Sequence, residues 1–424
     1  MKRSIMLAAI APLLISTTNV FAADASPDAT AINKEWQTYV EPFMSIGERV
    51  APIITDPADP RQRLEMYKQV FMTTSMAYLA MFGGDPDHPD FWPVFNNSYG
   101  LGSANPDDAY YMAPIDGKGV YKISGYRGTV RLIDFQIGSG QFYPRGLGGM
   151  MPTLNNYDAD SLHVKKDGAF EVVLSAERPK GYKGDWWKLD PRSTYVFVRQ
   201  IAYDWLKEVD GRFGIERLDS PAIRPRATAQ KLDEDLRQIA VAAETWVKVP
   251  TGRLKSYTPD GLINKVVVRD LSAQGGFTQK QFYVEGLVDI RDDEALIYET
   301  DVPKHCRYWN ITTDDSLWNV VDYVNRQSSI NGFTAKIDKD GKFRAVVSAT
   351  DPGVPNWLDT AGYKEGSLFG RWLQCDSQPT PTVTRVKLAD VRKYLPADTP
   401  VVTAEARDAA LRLRRKGAQM RRRW

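Results

Sequence analysis

The sequence predicts a mainly β protein built as two antiparallel β-sandwich or jelly-roll-like modules, with helices at the N terminus, between the modules and at the C terminus. Three observations predict it. First, the chain repeats itself: residues 165–175 (Lys-Lys-Asp-Gly-Ala-Phe-Glu-Val-Val-Leu-Ser) and 338–348 (Asp-Lys-Asp-Gly-Lys-Phe-Arg-Ala-Val-Val-Ser) match at an offset of 173, and self-similarity at a fixed offset marks a repeated structural unit. Second, both copies alternate with the period of a strand, which places Phe170, Val172 and Leu174 on one face and Phe343, Ala345 and Val347 on the matching face. Third, Asp167-Gly168 and Asp340-Gly341 read as two-residue hairpin turns, because glycine takes positive φ without strain. Downstream, Trp187-Lys188-Leu189-Asp190 aligns with Trp357-Leu358-Asp359, and Arg199 aligns with Arg371.

Taken from the N terminus, residues 1–22 read as a secretory signal peptide: Lys2 and Arg3, an apolar run from Ile5 to Ile15, and compact residues at Val20 and Ala22 that suit cleavage after Ala22. The run is too short to span a bilayer, and the expected destination is the periplasm or the outside of the cell. Two helices follow, Thr30 to Val50 and Pro60 to Phe82, the second with a stripe of Leu64, Tyr67, Phe71, Tyr78 and Met81 that predicts packing against the body. A helix over Ala227 to Val247, with Leu232, Leu236, Ile239, Ala240, Ala243 and Trp246 on one stripe, connects the modules. The expected division is a signal peptide at 1–22, a helical segment at 23–94, a first β-module at 95–222, a connecting helix region at 223–262, a second β-module at 263–385 and a basic helical tail at 386–424.

Composition excludes several function classes. The 55 Lys and Arg against 53 Asp and Glu leave a net charge of +2, so nucleic acid is not an expected partner. Eight of the basic residues crowd into 405–424, a tail that reads either as a solvated or frayed terminus, as a helix docked on the acidic body, or as a contact for an anionic envelope surface. No phosphate loop, dinucleotide fingerprint, Gly-x-Ser-x-Gly elbow or His-Glu-x-x-His helix occurs, and no cofactor is expected. With His88, His163 and His305 the only histidines, and with two prolines interrupting the acidic run Asp85 to Asp90, no metal site is expected. His163 matches Lys336 in the repeat, which predicts a solvent-facing side chain. In an oxidising compartment Cys306 and Cys375 are expected to pair, closing a loop of 69 residues worth about 4 kcal/mol by chain entropy; two separate buried thiols are the alternative.

Tyr308-Trp309-Asn310-Ile311-Thr312-Thr313-Asp314, Asn325-Arg326-Gln327-Ser328, the Asp340-Gly341 turn, Asn356-Trp357-Leu358 and Arg371-Trp372 together resemble the bacterial DUF1214 family. Upstream, Asn105-Pro106-Asp107-Asp108-Ala109-Tyr110 is similar to the Asn-x-Asp-Thr-x-Tyr signature of the companion DUF1254 module, with Asp108 in place of Thr. The resemblance implies antiparallel β-sandwich domains with added helices, and no settled reaction.

Candidate site residues fall in two loop clusters. Asn105, Asp108 and Tyr110, with Asp107, are either an Asx turn leading into a strand or a pocket rim for ligand hydroxyls. Asn356 and Trp357, with Asp359, either hold a polar ligand against an indole or close one end of a sandwich. Arg199 and Arg371 are inward-facing candidates for a ligand carboxylate or for ion pairs with acids such as Asp204 or Asp359. The leading expectation is binding of a carbohydrate or small organic molecule, for which 11 Trp and 20 Tyr supply stacking faces. The alternative is a metal-independent hydrolase, lyase or isomerase in which Asp107 or Asp359 is the acid or base and Arg371 steadies negative charge. A structural envelope role would rest on the tail, and predicts that truncation after Ala404 leaves the fold intact. A homo-oligomer that buries sandwich edges is also expected.

Overall fold

The computed structural model describes residues 27–54, 56–140, 153–257, 259–272 and 278–421, so the expected signal peptide lies outside the described residues. Two units divide the chain, Met1–Ser45 and Ile46–Trp424. The first contributes helix α1 (Pro27–Met44), which exposes Ile32, Trp36 and Met44. The second opens with α2 (Ile46–Val50) and α3 (Pro60–Phe82). Asp59 starts α3 by accepting from the Arg61 amide at 2.8 Å, with Pro60 in the first turn, where its missing N–H costs nothing.

Nine strands follow: β1 (Trp92–Pro93), β2 (Asp108–Pro114), β3 (Tyr121–Tyr126), β4 (Leu132–Ser139), β5 (Thr153–Asp158), β6 (Ala169–Ser175), β7 (Asp185–Lys188), β8 (Ser193–Ile201) and β9 (Arg212–Arg217). Helix α4 (Ala229–Tyr257) leads to a second nine: β10 (Val267–Asp270), β11 (Gln281–Asp289), β12 (Glu294–Asp301), β13 (Cys306–Asp314), β14 (Ser329–Asn331), β15 (Lys342–Ser348), β16 (Trp357–Asp359), β17 (Glu365–Cys375) and β18 (Thr382–Lys387). Helix α5 (Ala404–Met420) ends the described chain.

The first module pairs sheet β1-β2-β8-β4-β5 with sheet β7-β6-β3-β9; the second pairs β10-β11-β17-β13-β14 with β16-β15-β12-β18. Each strand of one set has its counterpart nine strands later, including the parallel pairs β6/β7 and β15/β16 among otherwise antiparallel neighbours. The duplication therefore covers the whole topology, not only the stretch where the sequence repeats. Each module buries its own core: Phe170, Val172 and Leu174 pack with Phe135 and Val196 in the first, and Phe343, Ala345 and Val347 with Trp309 and Leu368 in the second. Cys306 and Cys375 face each other across β13 and β17 and form the expected disulfide.

Four expectations are corrected. The Asp-Gly turns are three-residue loops: the Gly168 and Gly341 amides bond back to Lys165 and Asp338, each at 2.9 Å, and the glycines take φ of 85° and 82° at the bulge position. The repeat mate of Trp357 is Trp186, not Trp187. Trp186 pairs with Val173 and Trp357 with Val346, and the two indoles donate to the matching Ser175 and Ser348 hydroxyls at 2.9 and 3.1 Å.

The α3 stripe is on the other face. Leu64, Tyr67, Phe71 and Tyr78 are exposed, Phe71 by 73%, while Met66, Val70, Thr73, Met76 and Ala77 are buried. Helix α3 carries two apolar faces, and the one with slimmer side chains lets it approach α4, where Met76 and Ala77 meet Ala242 and Trp246. On α4 the stripe is buried only from Ala240 onward; Leu232 and Leu236 stay partly exposed.

The tail is a strap across both modules. Arg407 binds Asp351 at 2.8 Å and Gln327 at 2.6 Å, and Arg414 donates to the Tyr323 carbonyl at 2.5 Å. Arg421 pairs with Asp210 at 2.6 Å and donates to the carbonyls of Asp107 and Gln200 at 2.5 and 2.8 Å. Truncation after Ala404 would strand Asp210, itself nearly buried, without its cation, so an intact fold after that cut is no longer expected.

Candidate functional site

The polar residues of the first cluster converge where the two modules meet. Gly102 and Ser103, both at positive φ (72° and 49°), turn the chain into Asn105-Pro106-Asp107-Asp108. Asn105 then closes an Asx turn by accepting from the Asp107 amide at 3.1 Å. Because β2 begins at Asp108, successive side chains leave on opposite sides of the chain, and the adjacent carboxylates enter different surroundings.

Asp107 is 1% exposed and faces the second module. Its Oδ1 accepts from Trp205 Nε1 and Asn331 Nδ2, each at 2.8 Å, and its Oδ2 accepts from the Tyr308 hydroxyl at 2.6 Å. Tyr308 also contacts Asn105 Oδ1 at 3.0 Å, and Asn310 Nδ2 donates to the same atom at 2.8 Å. Burial raises the Asp107 carboxyl above its ordinary range, against the three donors and the charge of Arg414. Over it opens a cleft of about 530 Å³ whose walls include Tyr203, Trp205, Asn331, Phe333 and Arg414. The Arg414 guanidinium stacks 4.6 Å from the Trp205 ring centre, and Leu206, Phe333 and Leu413 leave apolar surface exposed at the rim.

Asp108 points the other way, toward a buried centre with internal symmetry. Tyr110 lies opposite Arg199 and Tyr283 opposite Arg371; on the far side of each arginine stand Asp134 and Asn310. Both tyrosine hydroxyls accept a backbone amide five residues upstream, Asn105 at 2.8 Å and Thr278 at 3.2 Å. Both guanidiniums lie over the phenylalanine two residues before, Arg199 at 4.4 Å from Phe197 and Arg371 at 4.9 Å from Phe369.

The symmetry breaks at the counter-ion. Arg199 reaches Asp134 at 3.4 Å and Gln136 at 2.5 Å, whereas Arg371 has Asn310 at 3.5 Å and the Ser103 carbonyl at 2.5 Å. The expected acids Asp204 and Asp359 pair instead with Lys207 and Arg326, because the register across β4 and β8 sets Asp134 beside Arg199. Burial pushes Asp108 up to about 6, opposed first by Arg199 and Arg371. It pushes Asp314 up to about 7, although the Ser367 and Ser103 hydroxyls donate to it at 2.7 and 2.9 Å.

The second predicted cluster lies elsewhere, and its polar atoms are used within the fold. Asn356 accepts from the Lys336 amide at 2.9 Å and donates to the Lys336 and Arg344 carbonyls. Trp357 Nε1 donates to Ser348, and Asp359 accepts from Arg326 at 2.9 Å and from the Ala361 amide at 2.7 Å. His163 is 94% exposed, as its match to Lys336 predicted.

The structure adds residues the sequence reading did not single out: Trp205, Asn331 and Arg414 at the cleft, and Asp134, Asp314 and Tyr283 at the buried centre. Only Tyr283 carried a readable signal, since it stands 173 positions after Tyr110 in the repeat.

Residues 291–376 match the family model DUF1214, described as a protein of unknown function. That span supplies Tyr308, Asn310, Asn331 and Arg371, and does not reach the Asn105–Tyr110 turn. No curated protein matches the chain. The VPA0106 protein from Vibrio parahaemolyticus aligns over 76% of this chain and 99% of its own at 13% identity and a TM-score of 0.43. The crystal structure of an uncharacterised protein from Burkholderia cenocepacia is similar over 85% of this chain and 98% of its own, with 28% identity and a TM-score of 0.77. The second module is thus similar to the DUF1214 family, and the two-module architecture is shared with the Burkholderia protein.

Proposed function

We propose that the protein binds a small organic molecule in the cleft above Asp107, with the ligand's apolar body against Trp205, Phe333 and Leu413 and its polar end toward Asn331 and Arg414. The observation that carries this reading is a cleft of about 530 Å³ whose accessible surface is more apolar than polar and in which Asp107, Asn331 and Arg414 are held in place by hydrogen bonds of the fold. Of the two ligand classes expected from the sequence, this lining favours a small organic molecule over a carbohydrate. Asp107 serves as a fixed polar floor: Trp205, Asn331 and Tyr308 donate to its oxygens, and the bonds from Asn331 and Tyr308 join the two modules. If residues 1–22 direct export, the ligand is one met in the envelope or outside the cell. The outer side of α5, with Arg412, Arg415 and Lys416 exposed, would then face an anionic envelope surface.

Catalysis is the second reading, supported by Asp108 and Asp314, whose carboxyls titrate near neutrality within reach of the charge of Arg371. A thermal-shift screen of residues 23–424 against aromatic acids, terpenoids and sugars tests both. A ligand at a hundredfold excess over its Kd adds about 2.7 kcal/mol of stability, and Phe333→Ser or Leu413→Ser should erase that gain. A hit that both variants keep in full refutes the cleft, and a hit recovered chemically altered selects catalysis.

A further inference from the structure

Two helices of this chain leave an apolar face uncovered. On α3 the exposed row is Leu64, Tyr67, Phe71 and Tyr78, spaced so that all four lie on one side of the helix. On α1 it is Ile32, Trp36 and Met44, with the half-buried Tyr39, Val40 and Phe43 on the same side. The seven exposed side chains are 41–84% accessible. Single apolar residues scattered over a surface are ordinary, whereas contiguous rows mark a face that another molecule covers.

Length, charge and area together say what covers them. At about 1.5 Å per residue, the α1 row from Ile32 to Met44 runs about 18 Å and the α3 row from Leu64 to Tyr78 about 21 Å, so each is long enough for the other. Their margins carry opposite signs. Asp28 and Glu35 stand one turn from Ile32 and Tyr39 at the edge of the α1 face, and Arg61 and Lys68 stand one turn from Leu64 at the edge of the α3 face. Over the whole helices, α1 sets Asp28, Glu35 and Glu41 against Lys34, while α3 sets Arg61, Arg63 and Lys68 against Glu65. The acidic character of α1 also argues against an anionic membrane as the occupant of its face. At roughly 200 Å² for a large side chain, full cover of the seven residues buries about 900 Å² per contact. Two such contacts about a two-fold axis reach about 1,800 Å², within the roughly 1,200–2,000 Å² of a stable interface.

We propose that the protein forms a two-fold dimer in which α1 of each copy covers the exposed face of α3 on the other. Exchange of a terminal element is a reciprocal contact, so the assembly closes at two copies. No residue of either row lines the Asp107 cleft, and the proposal is independent of ligand binding there. Fixing an 18-residue helix in each contact costs affinity, and a micromolar Kd is expected. At the lower concentrations at which chemical unfolding is followed, the chain is monomeric and Phe71 stays exposed.

Sedimentation equilibrium of residues 23–424 from about 1 to about 100 μM tests it. The unaltered chain should pass from monomer to dimer over that range. Trp36→Glu and Phe71→Glu, each at an exposed position, should both remain monomeric throughout. An equimolar mixture of the two variants should dimerise again, about tenfold more weakly than the parent, because the intact α1 of one still meets the intact α3 of the other. An unaltered chain that stays monomeric overturns the proposal. So does a dimer that survives either substitution, the result that α1–α1 or α3–α3 pairing would give, and so does a mixture that stays monomeric. Should either glutamate variant misfold by circular dichroism, Trp36→Ser or Phe71→Ser takes its place under the same criteria.

Discussion

Replacing Asp314 by Asn should remove the share of the fall in stability between pH 4 and pH 8 that this one carboxyl contributes, alongside the raised carboxyls of Asp107, Asp108, Asp134 and Asp315. Asp314 is 3% exposed at the end of β13, and burial raises its carboxyl from the ordinary 3.8 to about 7. A carboxyl whose folded value is raised binds its proton more tightly in the native state than in the unfolded chain. Stability is then highest below the unfolded value and declines as pH rises through the folded one. At about 1.4 kcal/mol per pH unit, the rise from 3.8 to about 7 amounts to about 4 kcal/mol lost across that window. Asp314→Asn keeps the shape and both serine contacts without the charge. Urea unfolding at half-unit steps from pH 4 to pH 8 should therefore show the variant gaining on the parent by about 4 kcal/mol, about 1 kcal/mol of it already between pH 4 and pH 5 and little more above pH 7. A constant difference across that range would refute the reasoning, because it would mean that Asp314 ionises in the folded protein as it does in the unfolded chain.

Three further outcomes are expected. On α3, Met76→Ala should cost 2–5 kcal/mol, about what a buried large-to-small change costs, while Phe71→Ser should stay within about 0.5 kcal/mol; the reverse order in chemical unfolding would restore the stripe read from the sequence. Truncation after Ala404 should yield a protein without a cooperative thermal transition, since Arg407, Arg414 and Arg421 tie the modules together; a sharp transition within a few degrees of the full chain would contradict the strap. The exported protein should begin at Ala23, which intact-mass measurement reads directly, and a mass that retains Met1 would remove the export reading.

The parts of this molecule that were legible in the sequence are those written in local pattern. Strand alternation around Asp167-Gly168 and Asp340-Gly341 located matching strands of the two modules, and the same repeat, after an indel of one residue, also paired Arg199 with Arg371. The same offset misplaced Trp357 by one residue, because an indel separates Ser175 from the Trp186-Trp187 doublet and either indole completes the match by eye. Helix α3 shows the limit of periodicity: with apolar residues on two faces, spacing alone does not say which one meets α4. Ion-pair partners were out of reach for another reason. Arg199 pairs with Asp134 through the register of β4 against β8, a contact 65 residues long in sequence, while the nearer Asp204 takes Lys207.

The cleft was the least legible feature. Asp107 was visible in its turn, but Trp205, Asn331 and Arg414 reach it from three other segments, and no local motif announces such a convergence. Module duplication explains where it lies. Two sandwiches that meet through equivalent sheets bury equivalent arginines at the contact, and the residues that differ between the copies, such as Asp134 against Asn310, give the interface its asymmetric chemistry.

Ligand binding above Asp107 is decided by a crystal structure of residues 23–424 in complex with the first organic ligand that stabilises the protein. That ligand is expected in the cleft above Asp107, within hydrogen-bonding distance of Asn331 or Arg414 and in contact with Trp205 and Phe333. A ligand seated anywhere else, with that cleft filled only by water, would contradict it.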